Sequence, residues 1–361
     1  MWTVGYSATI GREWRGPFSA AGLRFSTPSV GRSSDELAEH LPKCHQLPSY
    51  RKDSNLRVSN FSGDRLPALL DFVETRSTWG EPGRALGRKT FQQILGQPGL
   101  SPTDNCFLLK EGDRVHGFCL VVPETPIGRA VLELEVAPKL AGSVHQEELV
   151  RRALRRAREL GVRVVHSCLP GLSSQASLLR DEGFSLVRTY WDLVWSDKAL
   201  AESGVPDGFT IRPFQPGDAA ILTEVQNAAF GDSWGFCPNT VEQIEYRSLM
   251  VNIPQRGILF LRHEEKTAGY CWTCLAPVNG TIRGVIGMIG VVPEYRGQGI
   301  SRHILLAGME FLLSLDVASI GLQVDQDNAP AIRLYDSVGF EKAGERHWFE
   351  RGVSPDATPN R

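Results

Sequence analysis

Arg296, Gly297, Gln298, Gly299, Ile300 and Ser301 have the residue types and spacing of a phosphate cradle. An apolar run, Val285 to Val292, stops at Pro293, and a longer apolar-periodic segment runs from Ile300 through Leu315. That pattern predicts a strand, a tight loop and a helix. Glycines in the loop let the backbone approach a ligand closely, because no Cβ stands in the way. Amides of the loop and first helical turn lack intrahelical acceptors, so they form a positive pole suited to a pyrophosphate. Arg296 adds charge there, although an arginine at a helix start can equally be solvated. Two other phosphate loops are excluded. A nucleotide-hydrolase loop needs G-x-x-x-x-G-K-[ST], and a dinucleotide fingerprint needs G-x-G-x-x-G with an acidic residue further on. The pattern here is R-x-x-G-x-[small].

A second motif lies downstream. Ile320 to Val324 reads as a short strand, and Asp327 to Phe340 as a helix with Asn328 as its N-cap and Gly339 as its stop. Asn328, Ala331, Leu334, Tyr335, Gly339 and Phe340 fit the pattern N-x-x-A-x-x-[LF]-Y-x-x-x-G-F. With the Val291-Val292-Pro293 segment and the Arg296 loop before it, this resembles the GNAT acetyltransferases.

The resemblance implies acetyl-CoA as cosubstrate and no metal. It places the pyrophosphate on residues 296 to 301. The backbone of Ile289, Gly290 and Val291, on a strand that splays from its neighbour, would bond the pantetheine arm and the thioester oxygen. Asn328 would bond the same arm, with helix capping an equally good role. Tyr335 would lie beside the sulfur as general acid, since a phenol is suited to protonating a thiolate as it leaves.

These residues require a scaffold, and the 361-residue length allows two domains. The chain is 42% hydrophobic with a formal net charge of −2, which argues against a nucleic-acid binder or a polyelectrolyte tail. No apolar run reaches the roughly 20 residues of a bilayer span, and the start lacks a signal-peptide core. The expected location is therefore the cytoplasm. Of seven cysteines only Cys271 and Cys274 are close in sequence, on a strand-like run where positions three apart face opposite sides. That geometry makes neither a redox nor a metal pair.

The sequence repeats itself with an offset of about 155 residues, as a duplicated domain does. Val136-Ala137-Pro138 echoes Val291-Val292-Pro293, and Gly183-Phe184 echoes Gly339-Phe340. Each copy reads as strand, two helices, antiparallel strands, helix, strand, helix and final strands. The expected class is α/β (α+β), two tandem GNAT domains, each a mixed, mostly antiparallel sheet flanked by helices. Residues 1–54 form an arm, 55–196 a degenerate first domain, 197–207 a linker, 208–352 the active domain and 353–361 a tail. The first copy has lost its chemistry. Its loop, Ala137 to Ser143, has no arginine, Leu172 stands for Asn328 and Leu179 for Tyr335. Arg151, Arg152, Arg155, Arg156 and Arg158 come next on a helix and read best as a solvated face.

The acceptor side is expected on the link from Phe230 to Pro238, where Trp234 and Phe236 would wall a pocket or plug the domain interface. Asp232 would hold an ammonium or act as base. The chain is similar to the mycothiol synthase group, tandem GNAT proteins whose second domain is active. That group has a glutamate base on its fourth strand, where Val285 stands here. Glu224, His303 and His347 are further candidates, each with a surface or packing role as the alternative. The expected activity is transfer of acetyl from acetyl-CoA to a small primary amine. A non-catalytic acyl-CoA-binding or interaction protein, and a protein lysine or N-terminal acetyltransferase, are the alternatives. No nucleic-acid or membrane partner is expected, and the sequence does not set the oligomeric state.

Overall fold

The computed structural model describes residues 55–75, 87–171, 174–196, 199–200, 204–278 and 280–353. The expected arm, the tail beyond Val353, Leu172 and part of the linker lie outside them. The first half runs β1 (Arg57–Asn60), α1 (Leu66–Thr75), α2 (Arg88–Leu95), α3 (Pro102–Asn105), β2 (Cys106–Glu111), β3 (Arg114–Glu124), β4 (Arg129–Val136), α4 (Val144–Glu159), β5 (Val164–Pro170), α5 (Ser174–Asp181) and β6 (Ser185–Trp195). The second runs β7 (Phe209–Pro213), α6 (Ala219–Phe230), α7 (Val241–Ser248), β8 (Ile258–His263), β9 (Lys266–Val278), β10 (Thr281–Val291), α8 (Ile300–Leu313), β11 (Ile320–Asp325), α9 (Ala329–Asp336) and β12 (Glu341–Gly352). Apart from the extra one-turn α3, the order of elements repeats, as the duplicated sequence requires.

The strands form one twelve-stranded sheet in the order β1-β2-β3-β4-β5-β12-β6-β11-β10-β9-β8-β7. Each half was expected to end its own sheet, but the last strands are exchanged. β12 pairs antiparallel with β5 of the first half, β6 pairs antiparallel with β11 of the second, and β6 and β12 pair with each other. A buried ion pair, Arg346 Nε to Asp192 Oδ1 at 2.8 Å, bolts β12 to β6 across this seam.

Alternation along the strands separates two cores in the second half. Cys271, with Ile304, Leu305, Met309 and Leu312 of α8, lies in one. Cys274, with Leu222, Val225 and Ala229 of α6, lies in the other. The two thiols thus face opposite sides of β9, as the strand period requires.

Candidate active site

β10 and β11 run parallel only from Gly284↔Ile320 to Ile286↔Leu322. Both strands continue, β10 to Val291 and β11 to Asp325, but unpaired with each other. The divergence begins where β10 carries a bulge against β9. Ile286 faces Thr273 and Met288 faces the adjacent Trp272, leaving Gly287 as the extra residue. A bulge bends its strand and re-aims the residues beyond it. The edge of β10 beyond Ile286 that faces β11 therefore has peptide groups without ladder partners. The family resemblance implied a splay of this strand, on which Ile289, Gly290 and Val291 lie.

A cavity of about 450 Å³ opens in the splay. Ile286 to Ile289 line one side, Leu322 to Asp325 the other, and Asn328, the N-cap of α9, lines it with Ala331 and Tyr335 of that helix. Gly290 and Val291 continue β10 from the cavity toward the glycine loop. Gly290 has a packing reason to be glycine as well. A Cβ there would stand 2.8 Å from the Phe230 ring and 2.9 Å from the Ala229 Cβ, so its absence lets α6 lie close on the strand.

The loop is built as a donor cradle. Gly297 and Gly299 have φ of 76° and 77°, the left-handed region that glycine enters without strain. Gly299 is the N-cap of α8 and supplies no side-chain acceptor, so the amides of Ile300 and Ser301 in the first turn stay available. The space over both glycines is open. Arg296 braces this loop. Its Nε donates to the Val291 carbonyl at 3.2 Å and its Nη2 to the Ala229 carbonyl at 2.9 Å, tying the loop to β10 and α6. Gln298 Nε2 donates to the Glu294 carbonyl at 3.2 Å.

The equivalent loop of the first half is closed by its own side chains. Ser143, the N-cap of α4, accepts from the Gln146 amide, and the buried Gln146 Oε1 accepts from the Gly142 amide at 2.6 Å. The Gly142 and Gln146 amides of this loop are thus taken by its own side chains, whereas no side chain caps the loop at Gly299. On α4, Arg151, Arg155 and Arg156 pair with glutamates and Arg152 bonds Asn60, as a solvated face does.

Tyr335 is 6% exposed, and burial raises its pKa above the ordinary phenol range. Asn328 caps α9 by accepting the Ala331 amide at 3.2 Å. It also lines the cavity, so capping commits its carbonyl oxygen while its amide nitrogen remains a donor.

The acceptor-side residues separate. Trp234 lines the cavity and stacks on His166 of β5 with ring centroids 5.2 Å apart, so it is both wall and interface plug. Its loop is pinned by Arg129 of β4, whose Nη2 donates to the Gly235 carbonyl at 2.5 Å. Phe236 is not a wall. It is buried in the core beneath, against Phe230, which itself lines the cavity. Asp232 is exposed and outside the lining, because the turn after α6 carries it outward while Ser233 and Trp234 turn in. Three further candidates also lie away from the cavity. Glu224 is exposed, His303 is half-buried with its Nδ1 against the Gly204 carbonyl, and His347 is buried against Thr189. Val285 packs beside the α6 core, so no carboxylate stands at that point of β10.

Sequence reasoning missed Arg188 and Tyr190, which reach the cavity from β6. Only the strand exchange brings them there, and no local pattern signals it. Asp325 and Asp327, at the end of β11, were visible as residues but not as lining.

Fold and site together define an acyltransferase of the GNAT type. Residues 220–340 match the acetyltransferase (GNAT) family. The chain belongs to that family, as a tandem GNAT protein. Among its relatives it is similar to the mycothiol acetyltransferase of Thermomonospora curvata, 30% identical over 232 residues, 63% of this chain and 76% of that one. It is also similar to the mycothiol acetyltransferase of Kocuria rhizophila, 28% identical over 301 residues, 77% and 92%. In fold it is similar to a GCN5-related N-acetyltransferase from Sphaerobacter thermophilus, with a TM-score of 0.64, 19% identity and coverage of 86% and 98%. A tandem GNAT protein from the clavulanic acid biosynthesis pathway aligns with a TM-score of 0.63, 16% identity and coverage of 84% and 100%. Among the described residues no helix is long and apolar enough to cross a membrane.

Proposed function

We propose that the second half transfers acetyl from acetyl-CoA to the primary amine of a small molecule, by direct attack with both substrates bound. The observation that carries this reading is the continuity of one path. The glycine cradle at 297–301 leads along the open edge of β10 into a cavity that holds Tyr335. Acetyl-CoA supplies the activated acyl group. The cradle amides would hold its pyrophosphate, with Arg296 fixing the cradle from behind. Peptide groups of Ile289 to Val291 would bond the pantetheine and polarise the thioester carbonyl. Buried Tyr335 keeps its proton until sulfur develops negative charge, then donates it.

A small acceptor is favoured over a polypeptide because Arg188 and Tyr190 of β6 and the Trp234 ring wall the cavity. The mycothiol acetyltransferase relatives support an amine acceptor. The missing carboxylate at Val285 means that this chain must relieve its acceptor of a proton in another way. Thiol release from acetyl-CoA with a panel of primary amines tests the reading. Amine-dependent release, lowered about 100-fold by Y335F, is the expected result; amine-independent or absent release contradicts it.

A further inference from the structure

Tyr190 is 3% exposed, lines the cavity, and its hydroxyl meets no hydrogen-bond partner among the described residues. It stands on β6 directly opposite Asp325 on β11. Alternation along β6 puts Arg188 on the same face, and Arg188 also lines the cavity. The three charged groups divide unevenly. Arg188 Nη1 donates to Asp327 Oδ2 at 2.5 Å, and the Asp327 side chain is 60% exposed. The Asp325 side chain is 17% exposed. Its Oδ1 accepts the Asp327 amide at 3.0 Å, while its Oδ2 has only a 3.4 Å approach from Arg188 Nε. That nitrogen is buried and forms no hydrogen bond. Two carboxylates against one guanidinium leave one negative charge in surplus, and it lies on the inner residue. The guanidinium is held over the Trp234 ring, 5.5 Å from its centroid, so the polar wall and the aromatic wall are fixed to each other.

We propose that Asp325 and Tyr190 form the acceptor subsite, which takes a small primary amine as its ammonium ion and excludes acceptors that carry a carboxylate beside the amine. This rests on the transferase reading above. The first half is then part of the active site through β6, whatever its own loop has lost. In the step, the Asp325 carboxylate takes one proton from the ammonium while the Tyr190 oxygen accepts a hydrogen bond from a remaining N–H. The neutral nitrogen attacks the thioester carbon, the C–N bond forms and the C–S bond breaks. Sulfur takes a proton from Tyr335, which regains one from the acylated nitrogen, and Asp325 gives its proton to solvent. The balance is ammonium plus acetyl-CoA giving amide, CoA and one proton.

Wild type, D325N and Y190F are titrated with acetyl-CoA by calorimetry and then assayed for thiol release with n-butylamine, 1,4-diaminobutane and β-alanine. Circular dichroism checks each variant's fold, and Y190F carries the test if D325N does not fold. The proposal expects acetyl-CoA affinity within twofold in all three proteins. Both purely cationic amines are preferred to β-alanine by at least tenfold in kcat/KM. KM for the better amine rises at least tenfold in each variant, and in D325N the acidic limb of kcat/KM moves up toward the pKa of the free amine. An unchanged amine KM in the variants, or a preference for β-alanine, would overturn this proposal alone, whereas acetyl-CoA binding with no release for any of the three amines would overturn the transferase reading as well. A wild type that does not bind acetyl-CoA overturns the transferase reading and this proposal with it.

Discussion

Tyr335 illustrates how burial serves a general acid. Desolvation disfavours the phenolate and raises the pKa, so the proton is in place whenever the thiolate forms. Raising the pH toward 10 should therefore produce no loss of kcat through ionisation of Tyr335. A pH–rate profile of wild type beside Y335F checks this, since any basic limb should appear in both. At Asp232 the side chain lies on the outer surface, and D232N should leave kcat/KM within about twofold. Reading Tyr335 and Asn328 from sequence was possible because a short motif fixes their spacing on one helix. Asp232 and Phe236 were harder, because the way a loop turns decides which of its residues face inward. The Phe230–Pro238 link sends Trp234 to the cavity, Phe236 to the core and Asp232 to solvent.

The loop between β10 and α8 works through backbone conformation rather than side chains. A residue other than glycine at 299 would be strained by about 1–2 kcal/mol in the left-handed region. Its side chain would also rise into the open space over the cradle. G299V should therefore weaken acetyl-CoA binding by at least tenfold while the secondary structure measured by circular dichroism is kept. Strand positions in both halves followed from apolar runs ended by turn residues. The splay was expected only through the family resemblance, and the bulge at Gly287 that accompanies it has no plain sequence mark. The exchange of β6 and β12 was not legible either, because two copies of one strand can each complete either sheet. At that seam R346M would leave the buried Asp192 carboxylate without its hydrogen-bonded cation, with only the more distant pull of Arg283 remaining. A cost of about 3–5 kcal/mol is expected from broken buried pairs. Desolvation already raises the Asp192 pKa against the pull of Arg346. Without Arg346 the carboxylate would be more costly still, so the loss in urea midpoint should be larger at pH 8 than at pH 5.

At the scale of the whole molecule, burial of histidines among the described residues links stability to pH. Burial is the leading cause at His116, His166 and His347, and it lowers each pKa. At His166, Arg129 Nη1 lies 3.2 Å from Nδ1 and Glu350 Oε2 lies 2.7 Å from Nε2, an arrangement that suits the Nε2–H tautomer. A depressed folded pKa gives stability that is present above the ordinary histidine value, near 6.5, and is lost as pH falls below it through the lowered folded value. The urea midpoint should therefore drop between pH 7 and pH 5, and H166Q should drop less steeply over that window.

The two halves differ at their helix-capping loops. One is open at Gly299 and the other is closed by Ser143 and Gln146. The most direct measurement is calorimetric titration of acetyl-CoA into wild type and R296E, with the stoichiometry determined. The account predicts one site per chain in wild type, lost in R296E while the fold is kept. Two sites would show that the first loop also binds CoA, and a folded wild type with no site would contradict the account.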